Sequence, residues 1–122
     1  MTVEIPQFLA DIKESDQEFY DKIIDIREFA YKQGALPVKI KLLMIMLMDA
    51  AFGSKVGCAK ISDMARRAGA TENEIKETVR LTFIMGGLNS ISAGLGAYLG
   101  WNFETNDFKK RKAEFENIIN PI

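Results

Sequence analysis

The chain has 122 residues, of which 48% are apolar, with 17 acidic side chains against 16 basic ones. This size and composition predict one domain, 1–122, with a core of its own, and a net charge of −1 gives no electrostatic case for nucleic acid. One cysteine and no histidine exclude an intramolecular disulfide and a zinc site of the usual Cys/His kind, so neither metal nor cofactor is expected.

The opening MTVEIPQFLADIKESD carries early acidic residues and no apolar stretch, so it does not read as a signal peptide, and a cytoplasmic location is expected. A short helix is predicted from about Gln7 to Lys13, behind Pro6. Ser15 to Glu18 reads as a capping box. Behind it Phe19, Tyr20, Ile23, Ile24, Ile26, Ala30 and Tyr31 recur at helical spacing, and Gly34 is the expected stop. These N-terminal helices occupy 1–34.

Pro37 suits the first turn of the next helix, in which Leu42 to Met48 is an unbroken apolar run. Such a run predicts a helix surrounded on most sides, ending near Gly53. A helix from about Val56 to Ala68 should follow, with Arg66 and Arg67 in its last turn and Gly69 beyond. Thr71 to Glu74 is a second capping box, opening a helix through about Met85. Gly86-Gly87 should break or kink the chain. The stripe Leu88, Ile91, Leu95 and Leu99, interleaved with glycine and alanine, then predicts a closely packed helix. Residues 104–117 read as an outer amphipathic helix. The class is all-α, with six to seven helices and a central helical hairpin.

Leu81 to Phe103 carries no charge and is long enough for a bilayer. Its glycines, asparagines and serines make it only weakly apolar, so a buried hairpin or an oligomer interface is favoured over membrane association.

The order of these motifs resembles the carboxymuconolactone decarboxylase and alkylhydroperoxidase D-like family over roughly 35–100. Its strongest parts are Ala51 to Gly53, AGATENEI at Ala68 to Ile75, and Met85 to Gly87. The resemblance implies a helical fold that assembles into trimers or ring-like hexamers. It also implies chemistry: a CxxC pair at a helix start, a histidine one turn later and a glutamate on the preceding helix, or in the decarboxylase branch the histidine without the cysteine pair. Counted back from Gly69, the two cysteine positions fall on Ser54 and Gly57, the histidine on Ile61 and the glutamate on Leu42. None of these four residues can do the corresponding work. Ser54 has no histidine to activate it. A one-residue gap would bring Cys58 onto the second cysteine position, but Lys55 and Ser62 would then stand where the other cysteine and the histidine belong. A dithiol cycle within one subunit is excluded in either register.

Two candidates remain. Cys58 is either a small helix residue or a single reactive thiol, activated by the helix start and by Lys55 or Lys60. Asp49, at the end of a very apolar helix, is either a perturbed acid or the partner of Arg66, Arg67 or Arg80, in the same or another subunit. The methionines are core and interface filler or the lining of an adaptable pocket. The expected role is an oligomeric scaffold or small-ligand binding protein. The alternatives are an oxidoreductase-like or decarboxylase-like enzyme using Cys58 or Asp49, and a membrane-associated protein.

Overall fold

A computed structural model describes residues 4–100. Those residues form five α-helices and no strand: α1 (Gln7–Ser15), α2 (Gln17–Tyr31), α3 (Val38–Ala51), α4 (Lys55–Arg67) and α5 (Glu72–Leu99). The all-α class is as the periodicity requires; among the described residues the helices number five, against the six to seven expected for the whole chain. The expected helices on either side of Gly86-Gly87 are one kinked element. The expected helix at 104–117 and the aromatic Trp101 lie outside the described residues. The chain divides into two compact units, Met1–Val38 and Lys39–Ile122.

In the first unit, α2 starts one residue later than the capping box at Ser15 implies. Ser15 is the last residue of α1, and the carboxylate of Asp16 accepts the amide of Phe19 at 3.0 Å. Serine and aspartate cap equally well, and with both adjacent the longer α1 takes the serine. α2 ends at Tyr31 with Lys32 as its cap, so Gly34 belongs to the following loop, where its amide reaches the Leu36 carbonyl. α2 buries none of its residues, and Phe19, Ile26 and Phe29 stand exposed.

The second unit carries the core. Leu42 and Met46 of α3, Cys58 and Ala59 of α4, and Ile75 of α5 are fully buried. Each of the large apolar side chains contributes about 1.5–3 kcal/mol. The apolar run of α3 is not enclosed as its composition predicts: Met44 and Met48 are exposed, on a face that nothing among the described residues covers. Gly53, with φ of +85°, ends α3. At Thr71 the capping box forms in full. The Thr71 hydroxyl accepts the Glu74 amide at 3.1 Å, and the Glu74 carboxylate accepts the Thr71 amide at 2.9 Å. Lys39 lies 3.0 Å from the same carboxylate, tying the start of α3 to the start of α5.

α5 reverses at Gly87, whose φ of +64° and ψ of −153° are open only to glycine. The arms 72–86 and 88–99 fold back on each other, so the expected hairpin is present. A Cβ on Gly94 would stand 2.9 Å from Val79 Cγ1, which is why a small residue is needed there. The buried Ser90 hydroxyl ties the two arms, donating to the Thr82 carbonyl at 3.0 Å and lying 2.8 Å from that of Gly87. No helix among the described residues is long and apolar enough to cross a membrane.

Candidate functional site

The turn between α3 and α4 brings together four of the six residues singled out from sequence. Ser54 is the N-cap of α4, and its hydroxyl accepts the Gly57 amide at 3.2 Å. Gly57 and Cys58 occupy the first turn of that helix. Asp49, in the last turn of α3, leans over it: a Cβ on Gly57 would lie 2.6 Å from both Asp49 Oδ2 and Ser54 Oγ. The missing side chain at position 57 is therefore the space that the Asp49 carboxylate fills. Leu42 and Ile61 are buried apolar core and reach no polar chemistry.

Cys58 is fully buried, and its thiol donates to the Met46 carbonyl at 3.4 Å. Burial, and then the nearby Asp49 charge, push the thiol up to about 12. Of the two readings of Cys58, this favours the small helix residue over the activated thiol. The positive end of α4 and the lysines at 55 and 60 do not set the balance, because loss of solvent around the sulfur is the larger effect.

Asp49 is half-buried, and burial raises its pKa above the usual carboxylate range. It makes no ion pair among the described residues. Of the three arginines named as its partners, Arg66 is engaged elsewhere. Arg66, at the opposite end of α4, binds Asp63 at 2.9 Å, Glu72 at 2.6 Å and 3.1 Å, and the Ala97 carbonyl at 2.6 Å.

Beside Ser54 opens a cavity of about 670 Å³, between the α3–α4 turn and the second arm of α5. The turn contributes Phe52, Ser54, Lys55 and Val56, and the arm contributes Asn89 and Ser92. Lys55 is the one charged residue in this lining. Asn89 and Ser92 were not foreseen from sequence. They sit three residues apart on the uncharged helix, a spacing that places them on one face, but only the reversal at Gly87 turns that face toward Ser54. Among the described residues there is no cluster of carboxylates and thiols able to hold a metal ion.

A five-helix fold with a reversed α5 hairpin and a capped helix start at the α3–α4 turn defines a class of small all-α proteins. The sequence profile of the carboxymuconolactone decarboxylase family matches residues 17–98, and the chain belongs to that family. It is also similar to a crystal structure from Burkholderia xenovorans LB400 that carries the provisional description of a carboxymuconolactone decarboxylase. The TM-score is 0.73 at 23% identity, over 96% of this chain and 84% of that one, a likeness of fold. No functionally curated protein matches.

Proposed function

We propose that this chain is a carboxymuconolactone decarboxylase-like protein without the family's thiol peroxidase or decarboxylase chemistry, and that it works in the cytoplasm as a homo-oligomer, trimeric or hexameric, binding a small molecule without a cofactor. One observation carries the reading. The cavity at the α4 start is lined by an amine, a hydroxyl pair, an amide and apolar side chains, while the nearest thiol is buried and held protonated. A pocket so lined can orient a ligand but has no group poised to take or give a proton at neutral pH. The test is hydroperoxide reduction and carboxymuconolactone turnover by wild type, Cys58→Ser and Asp49→Asn. No turnover that depends on either residue is expected; turnover abolished by one of them would replace this reading with an enzymatic one.

One observation favours that second reading. Asp49 is half-buried, its pKa is raised, and its carboxylate faces the Ser54 hydroxyl across Gly57. A half-buried carboxyl whose pKa is raised by burial, near an open pocket, is the kind of group that serves as a general acid. On this reading the activity that Asp49→Asn removes should itself fall as pH rises and the acid loses its proton, which a pH–rate profile would record.

A further inference from the structure

The second arm of α5 turns its small residues inward and its large ones outward. Ser90, Ala93, Gly94, Gly96 and Ala97 are its buried residues. Gly94 packs on Val79 of the first arm and the Ala97 carbonyl receives Arg66 of α4, so that face is taken. Leu88, Ile91 and Tyr98 are 78%, 39% and 43% exposed, and Leu95 and Leu99 are half-buried. Spacings of three and four put these five on one face, an apolar stripe along the whole arm that the described residues leave open.

The chain outside the described residues begins at the end of this same arm. The arm stops at Gly100, where φ of +71° and ψ of 179° are open only to glycine, and the Gly100 amide still bonds the Gly96 carbonyl at 2.8 Å. A Cβ there would stand 2.7 Å from Asp63 Oδ1, so the chain leaves close against α4. Three residues separate Gly100 from the segment 104–117, a loop length that joins antiparallel helices. The fourteen residues of that segment span about 21 Å as a helix, and the twelve of the arm, 88–99, about 18 Å. The spacings agree as well. Phe108 and Phe115 are seven residues apart, as are Leu95 and Leu88. Leu95 lies four residues before Leu99, and Phe108 four after Glu104, so both pairs meet in one antiparallel register.

We propose that 104–117 folds back along the second arm as a strap, with Phe108 against Leu95 and Phe115 against Leu88. The charged side chains of the segment then lie to the sides and outside, the stems of Arg111 and Lys112 flanking the two rings. A three-residue tether holds the segment at the stripe at roughly millimolar effective concentration, which favours it over a separate partner. The strap backs the arm that carries Asn89 and Ser92, and so holds that wall of the cavity in place.

The test reads thiol labelling in the full chain carrying Leu88→Cys, with Cys58 kept as a buried reference. The described residues leave position 88 open, so by themselves they would allow fast labelling there by 5,5′-dithiobis(2-nitrobenzoate). Under the strap labelling should be slow, and Phe108→Asp or Phe115→Asp should quicken it at least about tenfold while Cys58 stays slow. The parent rate should not depend on protein concentration. Equal rates at position 88 with and without the aspartates, an acceleration that Cys58 shares in both variants, or protection that grows with protein concentration, the mark of a second copy, would each overturn the strap.

Discussion

The two ends of α4 differ in how fully their polar groups are matched. At the C-terminal end Arg66 sits in the last turn, where a cation suits the helix dipole, and it is held by two carboxylates and a carbonyl that fix the helix against both arms of the α5 hairpin. At the N-terminal end Ser54 caps the helix and lines an open cavity, but the half-buried Asp49 carboxylate lies over Gly57 with no cation paired to it among the described residues. A protein places matched charge where it needs rigidity, and unmatched polar groups near a cavity where something else is to bind. The contrast marks the Arg66 end as structure and the Ser54 end as the candidate site.

The largest expected effect concerns Cys58, and it could break the comparison. A thiol pushed up to about 12 holds roughly a thousandfold less thiolate at pH 8 than an ordinary one. Labelling by 5,5′-dithiobis(2-nitrobenzoate) should therefore be at least about a thousandfold slower in the native protein than in urea. Fast native labelling would make the Ser54 end a reactive thiol site after all. Asp49→Asn should quicken the reaction only modestly, since burial is the first cause and the Asp49 charge the second.

The next effect tests the matched end. Arg66→Ala removes an exposed bidentate pair to Glu72, a part-buried pair to Asp63 and a part-buried bond to the Ala97 carbonyl. The cost should be about 2–3 kcal/mol in urea unfolding, within the range for charged hydrogen bonds that leave partners behind. A loss below about 0.5 kcal/mol would place Arg66 among ordinary surface pairs.

A similar cost is expected at the hairpin turn that supplies the cavity's second wall. Gly87→Ala puts a Cβ into a backbone region that only glycine tolerates, for about 1–3 kcal/mol. Its thermal midpoint should fall accordingly. An unchanged midpoint would mean that the arms can reverse through a relaxed geometry.

How much of this was legible in the sequence follows from the range of each interaction. The Thr71 capping box, the stops at Gly53 and Gly69 and the break at Gly87 depend on three or four neighbouring residues, and the structure contains them. Ser15 against Asp16 was a choice between equal caps, which only the length of α1 decides. Met44 and Met48 read as enclosed because composition records apolarity and cannot record the absence of a neighbour. The frame of the site was legible too, since Ser54, Gly57, Cys58 and Asp49 lie within ten residues of one another. The direction of the Cys58 shift was not, because desolvation depends on packing from helices distant in sequence. The same holds for Asn89 and Ser92, which reach Ser54 only through the α5 reversal, and for the bond between Arg66 and Ala97 across 31 positions.

The smallest effects sharpen the contrast at the open end. Gly57→Ala meets only the tips of Asp49 and Ser54, and the Asp49 carboxylate can rotate away, so the change should stay within about 1 kcal/mol, with the helix propensity of alanine offsetting the displacement. Asp49→Asn gives the sign directly. Burial raises the folded-state pKa of Asp49, so the native protein keeps this proton at a pH where the unfolded chain has already released it. Stability is therefore lost as pH rises from the ordinary carboxylate range, about 4, through the raised pKa. The amide that replaces this carboxylate carries no charge to desolvate, so Asp49→Asn should melt higher than wild type at neutral pH, and the gap should close as pH falls toward about 4. In the Gly57→Ala background the gap should be smaller at every pH, because the displaced carboxylate is already in water. A gap that is unchanged by Gly57→Ala would mean that the carboxylate does not lie in the space left by Gly57, and that the open end of α4 is shaped by something other than this pair.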